Sequence, residues 1–471
     1  MNLNAIRSVY FLGIGGIGMS ALARFFALQG IRVSGYDRYP SPLTDQLISE
    51  GMNIHFTEDI RQIPKKLDLI VYTPAIPADH QEYLFLLEKK IPMKKRAEVL
   101  GMISSGFKTI AVAGTHGKTT TSTMIAHFLR SAKIDHLAFL GGISKNYATN
   151  FLFSKGVAIS PTPHFNTSLP HHFNRPVYCV VEADEYDKSF LQLTPYVAII
   201  TSADADHLDI YESHDELKKT FGEFTARIVD QGSLILKLGT SISPQRINFY
   251  YDYSYALNHE ATFFAKNIRL KDDLIHFDYV TPTETISNMT MGVPGIFNLE
   301  NAVAALAVGY LLGIDKGHLA KALKSYQGVQ RRFDFRIRKK ELVYIDDYAH
   351  HPEELKACIS AVRELYPDKK VTGIFQPHLF SRTRDLMDDF ARSLEMLDEL
   401  YLLDIYPARE KPIKGINSKV LLEKVNLPTK SLTTKTTILQ AVRTHRPEVL
   451  LTLGAGDIDQ LVQPLTEALN E

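Results

Sequence analysis

Along this chain the hydrophobic residues gather into short runs, and each run stops at glycines, hydroxyls or carboxylates. Val9-Tyr10-Phe11-Leu12 meets Gly13-Ile14-Gly15-Gly16-Ile17-Gly18, and 109–113 meets Gly114-Thr115-His116-Gly117-Lys118. Runs this short, apolar at every position and rich in β-branched residues, suit parallel strands covered on both faces. After each glycine stretch the apolar spacing becomes helical, over 21–29 and at Met124, Ile125, Phe128 and Leu129. The same pattern predicts strands at 32–36, 177–181, 197–201, 342–345, 371–375, 399–403 and 448–453, and over 69–77 a strand that opens into a loop. It also predicts helices from 118, over 352–365, and in the Ala- and Leu-rich stretch after Pro294-Gly295. From Gly232 to Pro294 apolar and polar residues alternate, which predicts an antiparallel patch. Gly141-Gly142-Ile143-Ser144 reads as a glycine turn, and 160–176, dense in Pro, His, Asn and Ser, as a surface insertion.

Strands alternating with helices make an α/β fold. At 471 residues the chain exceeds a single core, and its punctuation predicts three domains at 1–107, 108–332 and 333–471. The first and third read as Rossmann-like, and the central one as a P-loop ATPase-like mixed sheet. Lys plus Arg equals Asp plus Glu at 53 each, so no global field favours nucleic acid or an anionic membrane as partner. Two cysteines make neither a disulfide framework nor a cysteine metal site, and no apolar stretch reaches membrane-spanning length. A soluble cytoplasmic protein is expected, with no nucleic-acid or membrane partner, as monomer or homodimer.

Two stretches carry phosphate chemistry. Gly13, Gly15 and Gly18 open a helix after a strand, and Asp37 follows the next strand, as in dinucleotide-binding units. Such a loop recognises a pyrophosphate and a ribose, which NAD and UDP-sugars share; the extra Gly16 tilts the reading away from NAD. Thr73, where the stretch 69–77 opens into its loop, offers a hydroxyl to the same nucleotide. At the second loop only two residues separate Gly114 from Gly117, where the common phosphate loop has four. Lys118 reaches toward terminal phosphates, and Thr119 or Thr120 offers a hydroxyl to Mg²⁺. Apolar strands then end in Glu182-Ala183-Asp184-Glu185 and in Asp204-Ala205-Asp206-His207, positions suited to holding Mg²⁺ near that loop.

Gly-Thr-His-Gly-Lys-Thr-Thr-Thr at 114–121 resembles the ATP loop of the Mur ligases and their folylpolyglutamate synthase relatives. Gly-Ile-Gly-Gly-Ile-Gly-Met-Ser at 13–20 and Asp346-Asp347-Tyr348-Ala349-His350-His351-Pro352 extend the similarity to nearly the whole chain. The resemblance implies an ATP-dependent ligase that uses Mg²⁺ and joins UDP-N-acetylmuramate to L-alanine through an acyl phosphate. It implies that Gly13, Gly15, Gly16, Gly18, Asp37 and Thr73 hold the UDP-sugar. Gly114, Thr115, His116, Gly117, Lys118, Thr119, Thr120, Asn298, Asn301, Arg331 and Arg332 would hold ATP. Thr119, Glu182 and His207 would bind the metal, and Tyr348, His350 and Arg382 the amino acid. Lys118, Glu182, His207 and His350 would carry the catalysis. Ile296-Phe297 and Leu379 stand where the family usually carries Arg-His and a second Arg.

Three other readings stay open on the residues: a ligase of murein recycling that attaches a preformed peptide to the same sugar, an NAD-dependent oxidoreductase, and a catalytically silent nucleotide-binding module. Two lobes with separate substrates also predict hinges near 107 and 332, since an acyl phosphate must be kept from water.

Overall fold

The computed structural model describes residues 3–154, 176–204, 211, 213–248, 250–408 and 410–470. His207 and nearly all of the 160–176 stretch lie outside the described residues.

The first sheet contains β1 (Ser8–Leu12), β2 (Arg32–Tyr36), β3 (Asn53–His55), β4 (Leu69–Tyr72) and β5 (Met93–Lys95), ordered β3-β2-β1-β4-β5 and parallel throughout. The order reverses beside β1, so the glycine loop after β1 stands at the switch point where open α/β sheets take ligands.

The second sheet holds β6 (Lys108–Ala113), β7 (His136–Ser144), β8 (Thr149–Phe153), β9 (Tyr178–Glu182), β10 (Val197–Ile200) and β11 (Gly232–Lys237). It continues through β12 (Tyr250–Leu257), β13 (Phe263–Lys271), β14 (Leu274–Val280) and β15 (Thr285–Thr290). Its order is β15-β14-β13-β12-β11-β10-β6-β9-β7-β8. β6 lies between β10 and β9, parallel to both, so the three strands end on one edge. That shared edge is why the loop at 114–117, Glu182 and Ser202 meet.

Two expectations need correction here. The 232–294 region is only partly antiparallel: β11, β12 and β13 pair in parallel, and antiparallel pairing starts at β14. Gly141 and Gly142 lie inside β7 rather than in a turn. Glycine in a strand often marks a close approach, and at Gly141 the approach is made by Glu182.

The third sheet contains β16 (Asp334–Arg338), β17 (Val343–Asp347), β18 (Val371–Phe375), β19 (Glu399–Leu402), β20 (Lys430–Leu432) and β21 (Val449–Leu453), ordered β16-β17-β21-β18-β19-β20. All of its pairs are parallel except β16 with β17.

The chain divides into two compact units, one of residues 1–293 and 298–327, the other of 294–297 and 328–471. Inside the first unit the first two sheets share a core. Phe25, on the helix Ile17–Leu28 that follows the first glycine loop, packs against Phe139 of β7 and Phe151 of β8, with ring centroids 5.8 and 6.3 Å away. Arg24, one turn-step earlier, donates to the buried Asn150 side chain and makes a forked pair with Glu50 at 2.8–3.0 Å. Asn150 in turn donates to Ser20 Oγ at 2.8 Å. A seam this apolar and hydrogen-bonded makes residue 107 a junction between sheets on one core, which is not how a hinge is built.

Candidate active site

The second glycine loop is shaped by what presses on it. Gly114 has φ +131, and a Cβ there would stand 2.8 Å from the Ser202 amide nitrogen; Gly117 has φ +81, and a Cβ would stand 3.2 Å from Asn301 Cγ. Both backbone conformations and both clearances require glycine. The Thr115 hydroxyl meets Ser202 Oγ at 2.8 Å, and the same oxygen accepts from the His116 amide at 2.9 Å. Ser202 follows β10, and it organises the loop although its sequence context carried no motif.

Lys118 begins the helix Lys118–Ser131, so the loop leads straight into a helix N-terminus, the end that favours an anion. Its Nζ lies 2.6 Å from the Gly114 carbonyl and donates to both carboxylate oxygens of Glu185, at 2.8 and 2.9 Å. Glu185 is fully buried and the Lys118 side chain nearly so. Burial pushes the ammonium's pKa down, but Glu185, Asp184 and Glu182 more than offset it, and the net shift is upward. The lysine is therefore charged at any working pH. Thr119 Oγ1 donates to Glu182 Oε2 at 2.8 Å. The Thr120 carbonyl accepts from Tyr326 at 3.3 Å. Asn298 and Asn301 are both buried on the helix Ile296–Leu311, with Asn301 against the loop at Gly117.

Around the first loop, Gly15 N donates to Asp37 Oδ2 at 2.7 Å, and a Cβ on Gly13 would stand 2.7 Å from the Thr73 methyl. Gly16 N donates to the Gly13 carbonyl at 3.2 Å, closing the turn. At Gly18 a Cβ would stand 2.9 Å from an Arg96 guanidinium nitrogen, a neighbour that sequence spacing could not have named.

In the second unit, Arg331 and Arg332 set their guanidinium carbons 5.1 and 4.8 Å from the Tyr348 ring centre. Arg331 is also held by Asp346 at 3.3 Å and the Gly454 carbonyl at 2.7 Å. Tyr348 meets His350 edge-on at 5.4 Å, and His350 meets His378 at 5.9 Å. Arg382 lies on the helix Phe380–Asp385 just beyond His378. Phe297 packs edge-on against Phe333, with centroids 5.4 Å apart, so it is a packing residue here. Leu379 has φ +73 and starts that same helix. Asp347 is buried where it accepts amides from Phe333 and Ala349, at 2.6 and 2.7 Å. Burial drives its pKa up to about 7, against the lowering effect of Arg332 and those two amides.

A glycine loop, a lysine and a hydroxyl beside a strand-end carboxylate, in a chain of three α/β sheets, mark a phosphate-loop nucleotide-binding protein. Family comparison is more specific. The Mur ligase family catalytic domain matches residues 8–108, the Mur ligase middle domain 112–309, and the Mur ligase glutamate ligase domain 331–456. The chain belongs to the Mur ligase family. It is 46% identical over 474 residues to the UDP-N-acetylmuramate–L-alanine ligase of Parabacteroides distasonis, covering 100% of this chain and 98% of that one. In fold it is similar to the UDP-N-acetylmuramate–alanine ligase of Thermotoga maritima (TM-score 0.81, 24% identity, 98% and 99% of the two chains). It is also similar to a murein peptide ligase of Psychrobacter arcticus (0.70, 21%, 99% of each). Among the described residues no helix is long and apolar enough to cross a membrane.

Proposed function

We infer that this chain is an ATP-dependent ligase of peptidoglycan precursor synthesis, joining the lactyl carboxylate of UDP-N-acetylmuramate to the amine of L-alanine. The observation that carries the reading is 46% identity over 474 residues to a ligase of that name, on a chain whose loop lysine pairs with Glu185 and whose loop hydroxyl meets the strand-end Glu182. Fold alone supports the peptide-adding sibling as well, since both solved structures share it. NAD oxidoreduction leaves Lys118, Glu182 and the whole second loop without a task.

In this reading residues 1–107 hold the UDP-sugar, 108–332 the ATP and 333–471 the amino acid, in the cytoplasm. A carboxylate is a poor electrophile until one of its oxygens becomes part of a leaving group. ATP's γ-phosphoryl moves to that oxygen and ADP departs; the alanine amine then attacks the acyl carbon, the bond to the phosphate oxygen breaks, and the amine sheds a proton. Lys118 and the amides at the start of its helix stabilise the phosphates' charge. Asn298, Asn301, Arg331 and Arg332 position the nucleotide, while Tyr348, His350 and Arg382 receive the amino acid.

Mg²⁺ fits the residues present. Thr119 and Glu182 offer the oxygen donors it prefers alongside phosphates, and Gly141 leaves clear the space that the Glu182 carboxylate occupies. Thr119, Glu182 and His207 would hold it, and it would offset repulsion between ATP and the substrate carboxylate. Phosphate release and product mass, measured with each substrate omitted in turn, test the function. Release with alanine absent, or with a preformed tripeptide preferred over alanine, overturns it.

A further inference from the structure

Two consecutive carboxylates after β9 reach in different directions. Asp184 accepts from Arg96 at 3.2 Å, while Glu185 grips Lys118. Arg96 opens the helix Arg96–Ser104 and lies against Gly18, the last glycine of the first loop, which a Cβ would bring to 3.0 Å from Arg96 Cδ. One dipeptide thus touches the machinery of both glycine loops, through one cation each.

The turn carrying that dipeptide is held from several sides. Tyr186 N donates to Asp184 Oδ1 at 3.1 Å and Phe190 N to the Asp184 carbonyl at 2.9 Å. The Tyr211 hydroxyl donates to the Glu185 carbonyl at 2.6 Å, and Lys95 pairs with Asp187 at 2.7 Å. Asp187 and Lys188 sit at φ +54 and +53, a strained region for residues with a Cβ. Arg96, Glu182, Asp184 and Phe190 line one small cleft beside this turn.

We propose that Asp184 and Glu185 are positioning residues that couple the two nucleotide loops, so that binding of the UDP-sugar tightens binding of the magnesium nucleotide. This rests on the function proposed above. A diphosphate on the Gly13–Gly18 loop competes with Asp184 for the Arg96 guanidinium. Asp184, released from that pair, adds its negative charge to the side where Lys118 and a divalent cation gather. Its charge already acts on Lys118 across this distance. Glu185, one peptide further on, keeps the lysine aimed along the loop while the charge changes.

Calorimetry on the full chain tests the coupling without turnover. The Kd of a non-hydrolysable ATP analogue with Mg²⁺ is measured with and without saturating UDP-N-acetylmuramate, alanine being absent. In the native protein the Kd should fall about fivefold or more, the usual floor for linked sites, and the sugar nucleotide's Kd should fall by the same factor with the analogue present. In Asp184→Asn both ligands should still bind, with the ratio within about twofold of one, while Asp184→Glu restores it. Should Asp184→Asn melt below the assay temperature, Arg96→Met gives the same reading. A native ratio near one, or an Asp184→Asn ratio equal to the native one, overturns the coupling and leaves the ligase assignment intact. Failure of the native protein to bind either nucleotide overturns both.

Discussion

Gly141 lies so close to Glu182 that a Cβ added to the glycine would stand 2.6 Å from the carboxyl carbon. An alanine there must push the carboxylate away from Thr119, whose hydroxyl now reaches it at 2.8 Å. Gly141→Ala is therefore expected to raise the Mg²⁺ concentration giving half-maximal phosphate release by about tenfold or more, as displaced supporting contacts of metal sites do. A magnesium titration of the two proteins at saturating substrates checks this, and equal midpoints would remove Gly141 from the site.

The Lys118–Glu185 pair separates stability from catalysis. Lys118→Ala takes from the buried Glu185 carboxylate the ammonium that holds both of its oxygens, at a cost of up to about 3–5 kcal/mol, and removes the loop's cation. Lys118→Met with Glu185→Gln should recover most of the melting temperature and none of the phosphate release. Thermal melts and the release assay on the two variants supply the answer. Activity returning together with stability would show that the lysine's role is structural.

Asp347 gives a pH dependence with a definite sign. Its folded pKa, about 7, is above the ordinary value near 3.9, so over that interval the folded state holds a proton that the unfolded state has lost. Its contribution to stability is thus full below pH of about 4 and is lost as the pH climbs to about 7, by at most about 4 kcal/mol. Melting of the native protein and of Asp347→Asn across pH 5–8 should show a steeper decline in the native protein. Parallel curves would contradict it.

Arg24 and Asn150 join the first two sheets. Arg24→Ala takes the Arg24 donor from the buried Asn150 side-chain oxygen and opens the contact beside Phe25, at an expected cost of about 2–3 kcal/mol. KM for ATP should stay within about twofold, because the partners that Arg24 holds are Gln46, Glu50 and Asn150 rather than residues of the second loop. Denaturant unfolding paired with steady-state kinetics tests both halves, and an undiminished midpoint would mean that the seam holds without this network.

Much of this was readable in the chain. The run 109–113 followed by Gly114-Thr115-His116-Gly117-Lys118 predicts a strand, a loop and a helix, and β6 and the helix Lys118–Ser131 follow. The helix predicted over 352–365 is Pro352–Leu365. What failed was local pattern read without its neighbours. Gly141 and Gly142 signal a turn to any nearest-residue rule, yet they sit in β7 because a carboxylate from another strand needs the room. The parallel pairing of β11 with β12 was hidden for a related reason: alternation reports which face is buried but is silent on strand direction.

By itself the sequence determined the α/β class, both glycine loops, the lysine and hydroxyl at the second, and the kinship that names the reaction, because these depend on residue types at short fixed spacings. Only the tertiary structure decided that Glu185 holds Lys118, that Arg96 stands over Gly18, that Ser202 shapes the second glycine loop, and that the first two sheets share one core. Those contacts join residues from tens to more than a hundred positions apart, brought together by strand order in the sheets. No spacing along the chain encodes that order, since it arises from which apolar faces must cover one another.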